Sequence, residues 1–203
     1  MKKGFFIVLE GPDRCGKSTQ ARLLAKWLRK KGLETVHTRE PGGTPFAEAI
    51  RKILLDPRNR VLPLSEILLY EAARAQHTFE LIVPNLKRGK VVLSERYTMA
   101  TTAYQGYGRG LALKAVNALN KIATGGLKPR LTLVLDMPDR EFHIRGEKIR
   151  SDRLEQESSG FRLKVRRAYR RLARSSRNVF PVDASKSVDK VHKAMTKIVE
   201  RHI

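Results

Sequence analysis

Gly11-Pro12-Asp13-Arg14-Cys15-Gly16-Lys17-Ser18 fits the phosphate-binding pattern G-x-x-x-x-G-K-[ST] at every fixed position. The stretch sits in the context that pattern needs. Phe5-Phe6-Ile7-Val8-Leu9 before it reads as a buried strand, and Leu23, Leu24, Trp27 and Leu28 after it form a helical stripe. In such a strand–loop–helix, successive backbone N–H groups point into the loop and the helix N-terminus favours anions. Gly11 and Gly16 allow backbone conformations that a side chain would block. Lys17 is placed to reach the β- and γ-phosphates of a nucleotide, and the Ser18 hydroxyl to ligand Mg²⁺.

Outward from this loop, strand and helix signals alternate, which argues for α/β with a parallel sheet. Strands are expected at Phe5–Glu10, Glu34–Arg39, Lys90–Glu95, Leu131–Asp136 and Asn178–Val182. Helices are expected at Lys17–Lys31, from Thr44 as N-cap to Leu55, at Leu64–Leu86 with a bend near Pro84, at Leu111–Ala123, at Phe161–Ser175 and at Val188–Arg201. The charged, weakly patterned Arg140–Glu157 reads as a lid inserted into a single domain covering 1–203.

Composition narrows the class. The chain has 203 residues, 41% of them hydrophobic, enough for a core, and no apolar run of membrane-spanning length. A cleaved leader is not expected, since cleavage would remove the first strand. One cysteine, Cys15, cannot make an internal disulfide and suits a reducing cytoplasm. The formal net charge of +22 admits nucleic-acid binding, steering of anionic substrates, or a general compositional bias. From Ser158 to Val182 there are eight Arg or Lys and no Asp or Glu. That stretch reads mainly as a solvated helix face, with phosphate steering as a side effect.

In a parallel sheet, ligands gather at the C-terminal strand ends. Glu10, Arg39-Glu40-Pro41, Glu95-Arg96-Tyr97 and Asp136 all fall there. Arg39, Arg74 and Arg96 are candidate anion ligands, because a guanidinium pairs with phosphate through two parallel hydrogen bonds. Tyr70 and Arg74 share one helix face and could stack on and read a base, but periodicity alone assigns Tyr70 to a core stripe with Ile67, Leu68 and Leu69. Tyr104-Gln105-Gly106-Tyr107-Gly108-Arg109-Gly110 could fold over a small ligand or serve as a connecting loop.

With these segments in order, the chain resembles the thymidylate kinase family of nucleoside monophosphate kinases. The resemblance lies in Glu10–Gln20, Thr38-Arg39-Glu40-Pro41-Gly42-Gly43-Thr44, Leu68-Leu69-Tyr70 with Arg74, Glu95-Arg96-Tyr97, Ala103–Gly106 with Gly108–Gly110, and Asp152-Arg153-Leu154-Glu155. It implies a three-layer P-loop NTPase fold: a five-stranded parallel sheet, helices on both faces and a short lid. It implies phosphoryl transfer from ATP to dTMP with Mg²⁺, in dTTP synthesis, by a cytoplasmic homodimer. Nucleic acid and membrane are not implied partners; a nucleic-acid-stimulated ATPase is the rival class.

Residue by residue, the resemblance gives ATP to Gly11, Pro12, Asp13, Arg14, Cys15, Gly16, Lys17, Ser18 and Thr19. It gives the dTMP phosphate to Arg39 and Arg96, the sugar 3′-hydroxyl to Asp13, and thymine to Tyr70 by stacking and to Arg74 through O4. It puts Tyr104 beneath the sugar, and Thr101 and Gln105 along the base or sugar pocket. Ser18 and Glu95 would hold Mg²⁺, directly or through water. Three departures stand out: Glu95 where the family usually has Asp, Tyr70 where it usually has Phe, and cations in both the loop and the lid. Arg14 is the expected catalytic arginine with Arg150 as lid partner; Arg145, Lys148 and Arg153 are further lid cations.

Overall fold

The computed structural model describes residues 4–138, 141, 152–174 and 178–203. Five strands form one parallel sheet in the order β2-β3-β1-β4-β5. They are β1 (Phe5–Glu10), β2 (Thr35–Arg39), β3 (Val91–Glu95), β4 (Leu131–Asp136) and β5 (Val179–Asp183). β1 is central, pairing with β3 on one side and β4 on the other. All six of its residues are buried, as a strand covered on both faces requires.

Side chains alternate across the sheet. Phe5, Ile7 and Leu9 pack with α1 (Lys17–Lys30) and α8 (Val188–Glu200) through Leu24, Leu28, Met195 and Val199. Phe6 and Val8 face the other way, onto Ile82, Val92 and Tyr97. The remaining helices are α2 (Pro45–Leu55), α3 (Pro63–His77), α4 (Val83–Lys87), α5 (Thr98–Thr101), α6 (Leu113–Thr124) and α7 (Ser159–Ala173). Thr44 caps α2 as expected, its hydroxyl accepting from Ala47 N at 3.2 Å.

Three expectations gain detail in the structure. The helix expected over Leu64–Leu86 with a bend near Pro84 is helical from Pro63 to Lys87, and its irregularity lies just before Pro84. α3 stops at His77, a wide π turn covers Thr78–Ile82, and α4 follows. Proline has no N–H and its ring crowds the carbonyl four residues back, so the strain falls in the preceding turn.

The connecting-loop alternative for Tyr104–Gly110 does not hold. Thr102–Gly108 is π-helical and continues directly from α5. Gly108 serves packing there: a Cβ would lie 2.7 Å from the Phe161 ring of α7.

The basic stretch is mainly a solvated face, as expected, with one exception among the described residues. Arg166 of α7 is only 1% exposed. Its Nε donates to Asp136 Oδ1 at 3.0 Å at the end of β4, and it also donates to the Met137 carbonyl. Arg170 Nε reaches the other oxygen of Asp136 at 2.5 Å. Lys164, Arg167, Arg171 and Arg174 do face solvent.

Candidate active site

The phosphate loop leaves the C-terminal end of β1, between β3 and β4. Gly11 turns it with φ +137°, and a Cβ there would meet the Leu135 carbonyl oxygen at 2.4 Å. Arg14 also holds a left-handed backbone, φ +64°. Lys17 folds over the loop, its Nζ donating to the carbonyls of Gly11 at 3.0 Å and Pro12 at 2.7 Å. Arg14 Nη2 lies 2.8 Å from Glu155 Oε2, in the described end of the expected lid.

Ser18 and Glu95, far apart in sequence, meet beside the loop. Ser18 Oγ donates to Glu95 Oε2 at 2.6 Å, while His37 Nε2 lies 2.9 Å from Glu95 Oε1. Burial opposes ionisation of Glu95, but the bonds from His37 and Ser18 outweigh it and hold its pKa below the ordinary value. His37 carried no signal in the sequence beyond its place on a strand.

Two cavities open at this end of the sheet. A cleft of about 880 Å³ is lined by the loop, Arg39, Glu95 and Glu155. A second cavity, about 540 Å³, is lined by Tyr70, Arg74, Thr101, Tyr104 and Gln105. Asp13, Glu40, Arg51, Arg96 and Asp152 line both.

Arg96 is held where they meet. Its backbone is left-handed, φ +71°. Its guanidinium donates to Asp13, to Gly11 O at 3.2 Å and to the hydroxyls of Tyr169 at 3.1 Å and Tyr104 at 3.3 Å. Tyr104 in turn donates to Asp13 Oδ2 at 2.6 Å. Burial works against the Asp13 charge, yet Arg96 and Lys17 keep its pKa below normal.

Behind Arg96, Glu10 is fully buried and accepts from Tyr97 N at 2.8 Å and Tyr169 Oη at 2.9 Å. Desolvation raises its pKa to about 7, with Arg96 pulling the other way. Tyr169 belongs to the basic α7, which therefore backs the anion-binding arginine.

Arg74 is 2% exposed and bound on all sides. Its Nε donates to Glu40 at 2.8 Å, and Nη1 to Glu71 at 2.6 Å, Thr101 at 2.8 Å and Asn120 at 3.0 Å. Among the described residues, Nη2 makes one bond, to the Tyr97 carbonyl at 3.1 Å, although it carries two hydrogens. Burial disfavours the Arg74 charge, but Glu40 and Glu71 more than compensate.

Tyr70 is partly buried, and Leu68, assigned to the same core stripe, is exposed. Tyr70 packs against the Ala47–Ile50–Leu54–Ala73 cluster and also lines the smaller cavity. Arg39 is exposed and paired with Glu48 at 3.1 Å on the rim of the larger cleft.

Arg51 was missed. It lines both cavities, its Nη1 donating to Pro41 O at 2.9 Å. An arginine on an amphipathic helix looks like any solvated one until the fold turns it inward. Arg153, expected among the lid cations, faces Glu66 of α3 instead, its Nη2 2.6 Å from Oε2. Arg145, Lys148 and Arg150 lie outside the described residues.

A phosphate loop set against a second, arginine-lined cavity across a five-stranded parallel sheet defines a P-loop nucleotide kinase. The comparisons narrow this. The thymidylate kinase family model matches residues 9–195. Thymidylate kinases of Geotalea daltonii and Geotalea uraniireducens are 47% and 48% identical to this chain, each over 97% of it and 96% of their own length. The crystal structure of thymidylate kinase from Ehrlichia chaffeensis superposes with a TM-score of 0.80 at 29% identity, covering 98% of this chain and 99% of that one. The chain belongs to the thymidylate kinase family, and it is an enzyme, a nucleoside monophosphate kinase.

Proposed function

We propose that this chain transfers the γ-phosphoryl group of ATP to dTMP, giving ADP and dTDP. The observation that carries the reading is the meeting of the two cavities at Asp13, Arg51 and Arg96. A donor phosphate in the loop and an acceptor phosphate at Arg96 face each other there. Residues Gly11 to Thr19 bind the ATP phosphates, with Lys17 leaving its loop carbonyls for them. Arg39, Arg51 and Arg96 bind the dTMP phosphate.

Phosphoryl transfer demands positioning and charge neutralisation more than covalent help, and the acceptor phosphate needs no general base. The cations offset the repulsion between two anions. Arg14 supplies the charge nearest the group in flight, which requires it to exchange Glu155 for phosphate. Asp13 and Tyr104 take the sugar, and Tyr70, Arg74, Thr101 and Gln105 take the base.

Mg²⁺ fits the Ser18–Glu95 pair. Both offer hard oxygen donors beside the loop, and His37 orients the carboxylate. When bound, the ion neutralises phosphate charge.

No helix among the described residues is long and apolar enough to cross a membrane. Buried Cys15 is compatible with the cytoplasm, where we place the enzyme. A lid over residues 140–157 of a single kinase domain would exclude water.

α2 and α3 leave Phe46, Ile53, Leu64 and Leu68 exposed. A second copy of the chain is the occupant we assign to this apolar face, making a homodimer.

An ADP-release assay across dTMP, dUMP, dGMP, dCMP and AMP tests the reading. Turnover with dTMP should exceed the others. A purine monophosphate working equally well would refute it.

A further inference from the structure

Glu66 of α3 belongs to none of the roles above, yet it is fully buried. A buried carboxylate persists only when paired and hydrogen-bonded. Three side chains from two distant segments supply this. Arg109 donates through Nε at 3.1 Å to Oε1 and through Nη2 at 3.0 Å to Oε2. Arg153 Nη2 lies 2.6 Å from Oε2, an ion pair without good hydrogen-bond alignment. Gln105 Nε2 donates to Oε1 at 2.8 Å.

The two arginines bear on the Gln105 bond. They keep Glu66 ionised: burial opposes the charge, but the bonds from Arg109 and Gln105 hold its pKa below the ordinary value. An ionised carboxylate only accepts hydrogen bonds. The Gln105 amide must therefore turn its NH₂ group to Glu66, and its flip state is decided by chemistry rather than by shape. Its carbonyl oxygen is left as the group available to the cavity that Gln105 lines. Arg74 lines the same cavity, and its Nη2 has a second hydrogen beyond the one given to Tyr97. An acceptor together with a donor complements a 4-keto pyrimidine protonated at N3. Cytosine offers the reverse pair, an N3 acceptor next to an amino donor, and leaves both protein groups unmatched.

We propose that Glu66 is a specificity-positioning residue. Held by Arg109 and Arg153, it locks the Gln105 amide so that the acceptor cavity takes N3-protonated 4-keto pyrimidines and rejects 4-amino ones. The inference rests on the base-binding reading of this cavity. It is distinguished from that reading by using the wild-type enzyme as reference. A site that leaves buried polar groups unpaired with the wrong ligand discriminates strongly, by roughly 10⁴-fold or more.

The test is the ratio of kcat/KM for dTMP to kcat/KM for dCMP, in wild type, Glu66→Gln and the Glu66→Gln/Arg153→Met pair. The double variant removes one cation together with the carboxylate it faces, so it keeps the charge balance if the single variant folds poorly. A neutral amide at 66 can accept or donate, which lets Gln105 turn over. The ratio should then fall at least ~10-fold in both variants, the scale of one hydrogen bond's discrimination. A purely structural Glu66 would lower the melting temperature and both kcat/KM values together, leaving the ratio unchanged. That outcome overturns the proposal. A wild type that does not prefer dTMP over dCMP overturns the base-binding reading beneath it.

Discussion

The donor and acceptor halves of this site are built by different means. The donor half is local. Lys17 bonds carbonyls five and six residues away and the loop amides come from one turn, although Ser18 also reaches Glu95 and Arg14 reaches Glu155. The acceptor half is assembled from a distance. Arg74 on α3 joins Glu40, Tyr97, Thr101 and Asn120 from four other segments, and Glu66 joins Gln105, Arg109 and Arg153. The donor half can be damaged without unfolding the protein. Damage to the acceptor half should cost stability as well as binding, because its side chains hold its elements together.

The largest effect should follow from Arg74→Met. Breaking a buried ion pair by removing one partner costs about 3–5 kcal/mol, because Glu40 and Glu71 lose their cation. For a chain of this size, melting should fall by roughly 10 °C. In the protein that remains folded, dTMP affinity should drop far more than ATP affinity. Thermal unfolding and calorimetric titration of each nucleotide check both halves of the statement.

Lys17→Ala should show the opposite pattern: turnover lower by about 10²-fold or more, equivalent to ~3 kcal/mol, with melting changed by no more than a few degrees. Arg14→Ala should lose turnover on the same scale. Full activity in that variant would move the catalytic charge to the lid.

Glu10 lies between the halves and gives a pH test. Its folded pKa, about 7, stands above the ordinary 4.5, so the folded state holds a proton that the unfolded chain releases. Its contribution is complete below 4.5 and is lost as pH rises through 7. The shift is worth up to about 3 kcal/mol. Asp13, Glu40 and Glu66 are shifted downward, so their windows lie at more acid pH. Melting curves at intervals from pH 5 to 8 should show stability falling, with a shallower fall in Glu10→Gln. Equal slopes would remove Glu10 from the account.

The smallest effect concerns assembly. Leu68→Asp on the exposed face of α3 should leave the active site intact and shift sedimentation from dimer to monomer. A wild type that already sediments as a monomer removes the dimer from the reading.

The same contrast decides what the sequence could disclose. The strands were readable because β1 is a continuous apolar run and β4 is broken only by Thr132, both covered on both faces. The phosphate loop was readable because its chemistry lies in consecutive backbone groups. The π turns at Thr78–Ile82 and Thr102–Gly108 were not, since periodicity of 3.6 does not report local widening. Arg51, His37 and Glu66 were invisible for a related reason. Each looks like a solvated residue until a distant segment packs against it. Among the described residues, Arg166 alone departs from the solvated face that the run of like charge suggested, since Asp136 across the fold claims it along with the exposed Arg170. Tyr70 shows the limit of any single assignment, since one ring serves both core and cavity.

The central claim is that donor and acceptor sites face each other across Asp13, Arg51 and Arg96. A molecule carrying adenosine and thymidine joined 5′ to 5′ through a polyphosphate tests it most directly. It should inhibit competitively against both ATP and dTMP, and bind more tightly than either nucleotide alone. Competition against only one substrate would mean that the two sites do not meet where the geometry puts them.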